Sequence, residues 1–195
     1  LQIKISDEGE IMLKGPTITK GYYNREALNQ QTFDEDGFFH TGDAGDLKNG
    51  ELFLKERIKD LFKTSNGKYI APQALESKLL VDKFVDQIAV IADEHKFVSA
   101  LIVPEFRLLE AYAREHNIAC TTREELCANE EIHKMMMERI ETLQQQLASY
   151  EKIKRFTLLP HHFSMESGEL TNTLKLKRAV INKNYKDVIE KMYEE

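Results

Sequence analysis

Three small clusters hold the residues of this chain best suited to a charged, oxygen-rich ligand: Thr41-Gly42-Asp43, Arg57, and Lys175-Leu176-Lys177-Arg178. An ionised aspartate offers two oxygens that together accept a pair of donors. A guanidinium is a rigid fork of donors, whereas a lysine ammonium is a compact charge that can stabilise developing negative charge. Each cluster also has a plainer reading. Thr41-Gly42-Asp43 alone is a turn, in which Gly supplies an unusual backbone angle and Asp caps a neighbouring N–H. Arg57 is an ordinary residue following a strand, and Lys175 to Arg178 is surface charge opening a helix, where the helix dipole gives a cation nothing. Asn66-Gly67-Lys68 is a tight turn on any reading, and Lys63 before it is an ordinary solvated lysine.

Other eye-catching residues carry less. His161-His162 has no acidic or Cys partner at ligand spacing and reads as loop. Cys120 and Cys127 are too few and too far apart for a common zinc motif and read as free thiols in a reducing compartment. Cys127 falls near a predicted helix start, where a thiolate gains stability, yet an inert thiol is the simpler expectation. Met135-Met136-Met137 reads as helix packing.

The elements that must position the clusters follow from periodicity. Ile3 and Ile5, then Ile11 and Leu13, alternate with polar neighbours as strands do, and Asp7-Glu8-Gly9, Gly15-Pro16 and Asp36-Gly37 suit turns. Arg25 to Phe33 reads as a short helix. Leu52 and Leu54 form a strand entered through Asn49-Gly50, a pair that favours positive φ. After Arg57 helices and strands alternate. Pro72 suits a first helical turn, and Leu75 and Leu79 share a face. Ile88 to Ile91 and Phe97 to Val103 are strand-like, joined by the polar turn Asp93 to Lys96. Phe106, Leu109 and Ala113 repeat at helical spacing, and Thr122 with Glu125 makes a capping box. A stripe from Ile132 through Met136, Ile140, Leu143 and Leu147 to Tyr150 predicts one helix. Phe156 to Leu159 is a strand closed by Pro160, and Ile181, Tyr185, Val188 and Met192 predict a single final helix. The expected fold class is α+β, strand-rich first, with a boundary near residue 58.

In this order, Phe38-Phe39-His40-Thr41-Gly42-Asp43, the strand Glu51 to Lys55, Arg57 to Lys63, Asn66 to Pro72, and Thr171-Asn172-Thr173-Leu174-Lys175-Leu176-Lys177-Arg178 resemble the closing third of an adenylate-forming acyl-CoA synthetase. The resemblance covers nearly the whole chain. Leu174-Lys175, where many members carry Gly-Lys, and the long helical segment from Glu105 to Lys154 resemble the long-chain fatty acyl branch. Departures are Phe38 for the usual Trp or Tyr, Glu56 for a common Gly, and Asn172 for Pro.

The resemblance implies that residues 1–57 are the last, β-rich subdomain of a large adenylate-forming domain and residues 58–195 a mobile lid. It implies that Asp43 and Arg57 hold the ribose of the nucleotide, that Lys59 is the hinge, and that Lys175 is the catalytic cation between substrate carboxylate and α-phosphate. Gly67, with Lys63 as an accessory contact, would line the path of CoA. The implied reaction joins fatty acid and ATP into acyl-AMP, then transfers the acyl group to CoA as the lid rotates. Magnesium is implied with ligands outside these residues, and a glycine-rich phosphate loop is absent from them. The chain, which opens inside an alternating strand pattern, is therefore expected to be a C-terminal fragment, inactive alone. Two rival readings are a fatty acyl-AMP ligase feeding a carrier protein, and a non-catalytic binding module with the lid fold.

Composition agrees with a globular protein: 195 residues, 42% hydrophobic and 31% charged. The net charge of −6 disfavours non-specific nucleic-acid binding. No apolar run reaches the roughly 20 residues of a membrane helix, and no signal-peptide pattern is present. A cytoplasmic location is expected, with peripheral membrane contact left open for the longer protein.

Overall fold

The computed structural model describes residues 1–194. The fold is mixed α/β and comprises two compact units, the first running from Leu1 to Leu61 and the second starting at Phe62.

The first unit is a four-stranded antiparallel sheet in the order β1 (Gln2–Ile5), β2 (Glu10–Lys14), β3 (Phe39–Lys48), β4 (Glu51–Arg57). A short helix, α1 (Glu26–Thr32), lies beside β3. The β3–β4 turn is tight because Asn49 and Gly50 both take positive φ, +53° and +83°, the geometry that matches strand twist in a two-residue hairpin. Ile11, Met12 and Ala44 are buried. Gly45 lies so close to Ile11 and the Phe53 carbonyl that a Cβ would sit 2.6 Å from both. The unit ends in a single 3-10 turn, Ile58–Asp60, which stays against β3.

The second unit centres on a three-stranded sheet, β7 (Val85–Ile91), β8 (Val98–Pro104) and β9 (Ile153–Leu158). The β7–β8 pair is antiparallel and β8–β9 parallel. A parallel pair needs a crossover, supplied by α3 (Phe106–Glu115), α4 (Arg123–Ala128) and α5 (Glu130–Leu143). β8 is buried along its whole length, as expected of a central strand covered on both faces. A small hairpin, β5 (Phe62–Lys63) and β6 (Tyr69–Ile70), precedes α2 (Pro72–Leu79). Helices α6 (Arg178–Asn184) and α7 (Lys186–Tyr193) follow β9.

Several elements differ from the sequence reading. Helix α5 stops at Leu143, short of Leu147 and Tyr150. Buried Gln144 ends it by exchanging hydrogen bonds of 3.1 and 2.9 Å with the carbonyl and N–H of Ile153. The final stripe forms two helices, broken at Tyr185, whose φ of −108° and ψ of 20° leave helical geometry. Cys127 lies in the last turn of α4, not at its start, and burial pushes its thiol up to about 11. The capping box of Thr122 and Glu125 forms as read.

Candidate functional site

Thr41-Gly42-Asp43 is not a turn but an irregularity within β3. Glu10 pairs with Ala44 while Met12 pairs with His40, so β3 carries two extra residues against β2. Gly42 takes a φ of +73° there, which suits glycine. Four hydrogen bonds fix the bulge: Glu10 Oε1 accepts from Gly42 N (2.7 Å), Glu10 Oε2 pairs with His40 Nδ1 (2.8 Å), Thr41 Oγ1 donates to Ile11 O (2.7 Å), and Asp43 N donates to Thr41 Oγ1 (3.1 Å). Arg57 is the last residue of β4, opposite Asp43 in the ladder. Its Nε lies 3.3 Å from Asp43 Oδ1, and both side chains remain largely exposed. The sequence thus brings carboxylate and guanidinium together at an open rim.

Lys175 does not open a helix. It closes a hairpin whose base is the Leu170–Leu176 bridge, and α6 starts only at Arg178. Within the hairpin Leu174 N donates to Thr171 O (2.9 Å), Thr171 N donates to Lys175 O (2.8 Å), and Lys175 N donates to Thr171 Oγ1 (3.0 Å). Leu174 turns the chain at a φ of +60°, an uncommon conformation for a large side chain. The Lys175 side chain is exposed, and its ammonium forms no ion pair among the described residues.

Two carboxylates brace this hairpin. Glu169, 3% exposed, accepts from Ser167 Oγ at 2.6 Å and from Asn184 Nδ2 at 3.1 Å, while its carbonyl accepts Lys177 N at 2.7 Å. Burial, and after it the Glu169 charge, pushes the neighbouring Tyr185 phenol up to about 12. Glu76 of α2 grips Arg178 with both oxygens, at 2.8 and 2.9 Å, and also accepts Val90 N at 2.8 Å. The Arg178 guanidinium lies over the Phe62 ring. Arg178, expected as part of a basic surface patch, is thus turned inward and paired.

Gly67 sits at the tip of the β5–β6 hairpin with φ +74°, and nothing lies within 4 Å of where a Cβ would be. The glycine is demanded by the backbone angle, not by crowding in this state. Thr64 closes the loop, its N and Oγ1 both donating to Lys68 O at 2.9 and 3.2 Å. Lys63 places its ammonium over Tyr69 at 5.4 Å, and its N–H donates to Asp93 Oδ1 at 3.2 Å. Lys59 is exposed in the 3-10 turn that Leu61 N closes onto Ile58 O at 3.3 Å. Asp43, Arg57 and Lys59 therefore belong to the first unit, and Lys63, Gly67 and Lys175 to the second.

The family model for the C-terminal domain of AMP-binding enzymes matches residues 59–195. The chain belongs to this family. It is 34% identical over 190 residues, 95% of its length, to long-chain-fatty-acid–CoA ligase 1 of Cavia porcellus, and spans only 27% of that relative. Among solved structures it resembles the adenylation domain of a carboxylate reductase from Mycobacterium chelonae, with TM-score 0.70 and 27% identity over 99% of the chain and 31% of that one. It also resembles the adenylation–carrier didomain of a carboxylic acid reductase from Segniliparus rugosus bound to AMP, with TM-score 0.66 and 26% identity over 95% of the chain and 24% of that one.

The sequence reading missed Glu76 and Glu169 in this AMP-binding family domain and Glu10 in the first unit. Glu76 carried a usable signal: Pro72, Leu75, Glu76 and Leu79 form one buried helical stripe, and a carboxylate on such a stripe needs a partner. Glu10 and His40 gave none, being 30 residues apart. The loop histidines each meet one carboxylate remote in sequence: His162 Nε2 lies 3.2 Å from Asp86 and His161 Nε2 lies 3.9 Å from Glu124. Among the described residues no three His, Cys, Asp or Glu side chains converge as a dedicated metal cage would need. No helix among them is long and apolar enough to cross a membrane.

Proposed function

We propose that these residues serve a long-chain fatty acid–CoA ligase, which forms acyl-AMP from fatty acid and ATP and then transfers the acyl group to CoA. The observation that carries this reading is the exposed, ion-pair-free Lys175 on a hairpin rigidly braced behind it. An ammonium carried outward on a braced hairpin can bridge the fatty carboxylate and the α-phosphate as pyrophosphate departs, stabilising the charge that develops there. Asp43 accepts the ribose hydroxyls and Arg57, already beside it, adds donors to the same sugar. Lys59 is the hinge about which the second unit swings, absorbing the change in φ and ψ within a short turn. After the swing the Gly67 hairpin, with Lys63, receives the pantetheine arm of CoA, and its thiol displaces AMP.

The likeness to long-chain ligases over 95% of the chain supports the substrate class. A second reading draws on the adenylation–carrier didomain: the acceptor thiol then belongs to a carrier domain and not to free CoA. Supplying acyl-adenylate with either acceptor separates the two. The main reading is tested by Lys175→Ala in the full-length enzyme, with the half-reactions measured apart. Pyrophosphate exchange is expected to fall about 10²–10³-fold, while transfer from supplied acyl-adenylate is largely kept. Equal loss of both would reduce Lys175 to a structural part.

A further inference from the structure

We infer that Tyr193 and His95 are positioning residues for the Gly67 hairpin, so that helix α7 governs the transfer step. The inference rests on the reading of that hairpin as the acceptor loop. It starts from what holds the hairpin in place. Lys63 N donates to Asp93 Oδ1 (3.2 Å), Glu94 N to Lys63 O (2.9 Å), and Ser65 N to His95 O (3.0 Å). The hairpin therefore takes its register from the turn between β7 and β8, on both sides of Thr64. Whatever fixes that turn fixes the Gly67 tip.

Tyr193 fixes it. The phenol oxygen lies 3.1 Å from Ile91 O and 3.1 Å from Phe97 O, the carbonyls on either side of the turn, and 2.7 Å from Ser99 Oγ. One phenolic proton shared between the two carbonyls, with the Ser99 hydroxyl donating to the phenol oxygen, satisfies all three. Burial pushes this phenol up to about 12, so the donor proton is retained at neutral pH. Above the carbonyls the Tyr193 ring stacks flat on His95, with centroids 3.9 Å apart and planes 4° from parallel, and meets Phe97 at 4.7 Å. The end of α7 is itself tied down, since Arg155 Nη1 donates to Met192 O at 2.8 Å and to Glu194 O at 2.6 Å. A continuous path thus runs from Arg155 through Tyr193 and His95 to Ser65 and Gly67. None of these residues takes part in the Lys175 hairpin, which is braced by Glu169, Glu76 and Arg178.

The test uses the full-length enzyme and its two half-reactions. Tyr193→Phe keeps the ring and removes the bridge between the carbonyls. It is expected to slow transfer from supplied acyl-adenylate about tenfold, the worth of one lost hydrogen-bonding group, with pyrophosphate exchange within twofold of wild type. His95→Ala should act alike, and His95→Phe, which preserves the stack, should restore transfer. Hydrogen exchange over residues 62–70 should quicken in Tyr193→Phe, with exchange over residues 169–178 unchanged. Gly67→Val separates the two levels of argument. If it leaves transfer intact, the acceptor-loop reading fails and the inference with it. If it abolishes transfer while Tyr193→Phe does not slow it, the inference alone is overturned. Equal loss of both half-reactions in Tyr193→Phe likewise overturns it, because that is the mark of general destabilisation.

Discussion

The Lys175 hairpin and the Gly67 hairpin are both tight turns of the second unit with one left-handed residue at the tip, yet they are held by different physics. Behind Lys175 stand two buried or nearly buried carboxylates, Glu169 and Glu76, each satisfied by several donors. Behind Gly67 stand mainly main-chain bonds to a neighbouring turn, joined by the Asp93 carboxylate and by the Asn66 side-chain amide, which donates to Lys96 O at 3.5 Å. The left-handed residue is Leu174 in the first and glycine in the second. A step that depends on one charge at one place gains from a rigid support, since electrostatic stabilisation is worth most when its donors need not reorganise. A step that threads a flexible arm past the backbone gains from a low-profile loop without a side chain.

Arg178→Ala should have the largest effect. Removing the guanidinium leaves the Glu76 carboxylate, whose side chain is only 9% exposed, with the Val90 N–H alone. Orphaning one member of such a pair costs about 3 kcal/mol or more, so the second unit should melt well below wild type in thermal or urea unfolding. A change under about 1 kcal/mol would show that the ion pair is not the brace. Gly67→Ala comes next. No atom obstructs the new methyl, so the whole cost is that of a left-handed alanine, about 1–2 kcal/mol. Transfer should fall more than pyrophosphate exchange. Leu174→Gly is smaller and opposite in sign. Glycine relieves the left-handed strain but gains chain entropy when unfolded, so stability should rise by only about 0.5 kcal/mol. Pyrophosphate exchange should nevertheless fall several-fold if a stiff hairpin is what Lys175 requires.

The two hairpins were also unequally legible. Asn66-Gly67-Lys68 announced its turn, because glycine between polar residues has a local meaning that long-range contacts seldom override. The hairpin around Lys175 did not: Asn172 and Leu174 carry no turn signature as strong as glycine's, and the helix that seemed to begin at Lys175 begins at Arg178. The bulge at Asp43 was hidden for a related reason, since its two extra residues are counted only against β2, some 30 positions earlier. Periodicity found every strand of the β7–β8–β9 sheet because each carries several buried apolar residues. It overran the ends of α5 and α6, where Gln144 and Tyr185 stop the helices by contacts remote in sequence or by backbone geometry. Charged braces such as Glu76 to Arg178 join residues 102 apart, and only the folded chain pairs them.

The smallest expected effect concerns acid. His95, stacked on Tyr193, is held below its ordinary value chiefly because partial burial penalises the imidazolium; Asp93 and Glu94 beside it offset this only in part. The folded state therefore binds a proton less readily than the unfolded state, whose histidine titrates near its ordinary 6.5. Below that pH the unfolded chain holds more protons, and stability rises with pH wherever this is so. The contribution is fully present above pH 6.5 and is lost as pH falls through the lower folded value. Because His95 is only partly buried, solvent screens the effect and the change in melting should be modest. Many carboxylates also titrate on the acid side, so the quantity to measure is the difference between wild type and His95→Phe, which keeps the ring stack but cannot be protonated. From pH 7 to pH 5 wild type should lose more stability than the variant, and its Gly67 hairpin should exchange amide hydrogens faster while the Lys175 hairpin does not. If both hairpins loosen together, the acid response belongs to the unit as a whole, and the contrast between a charge-braced and a backbone-braced loop loses its support.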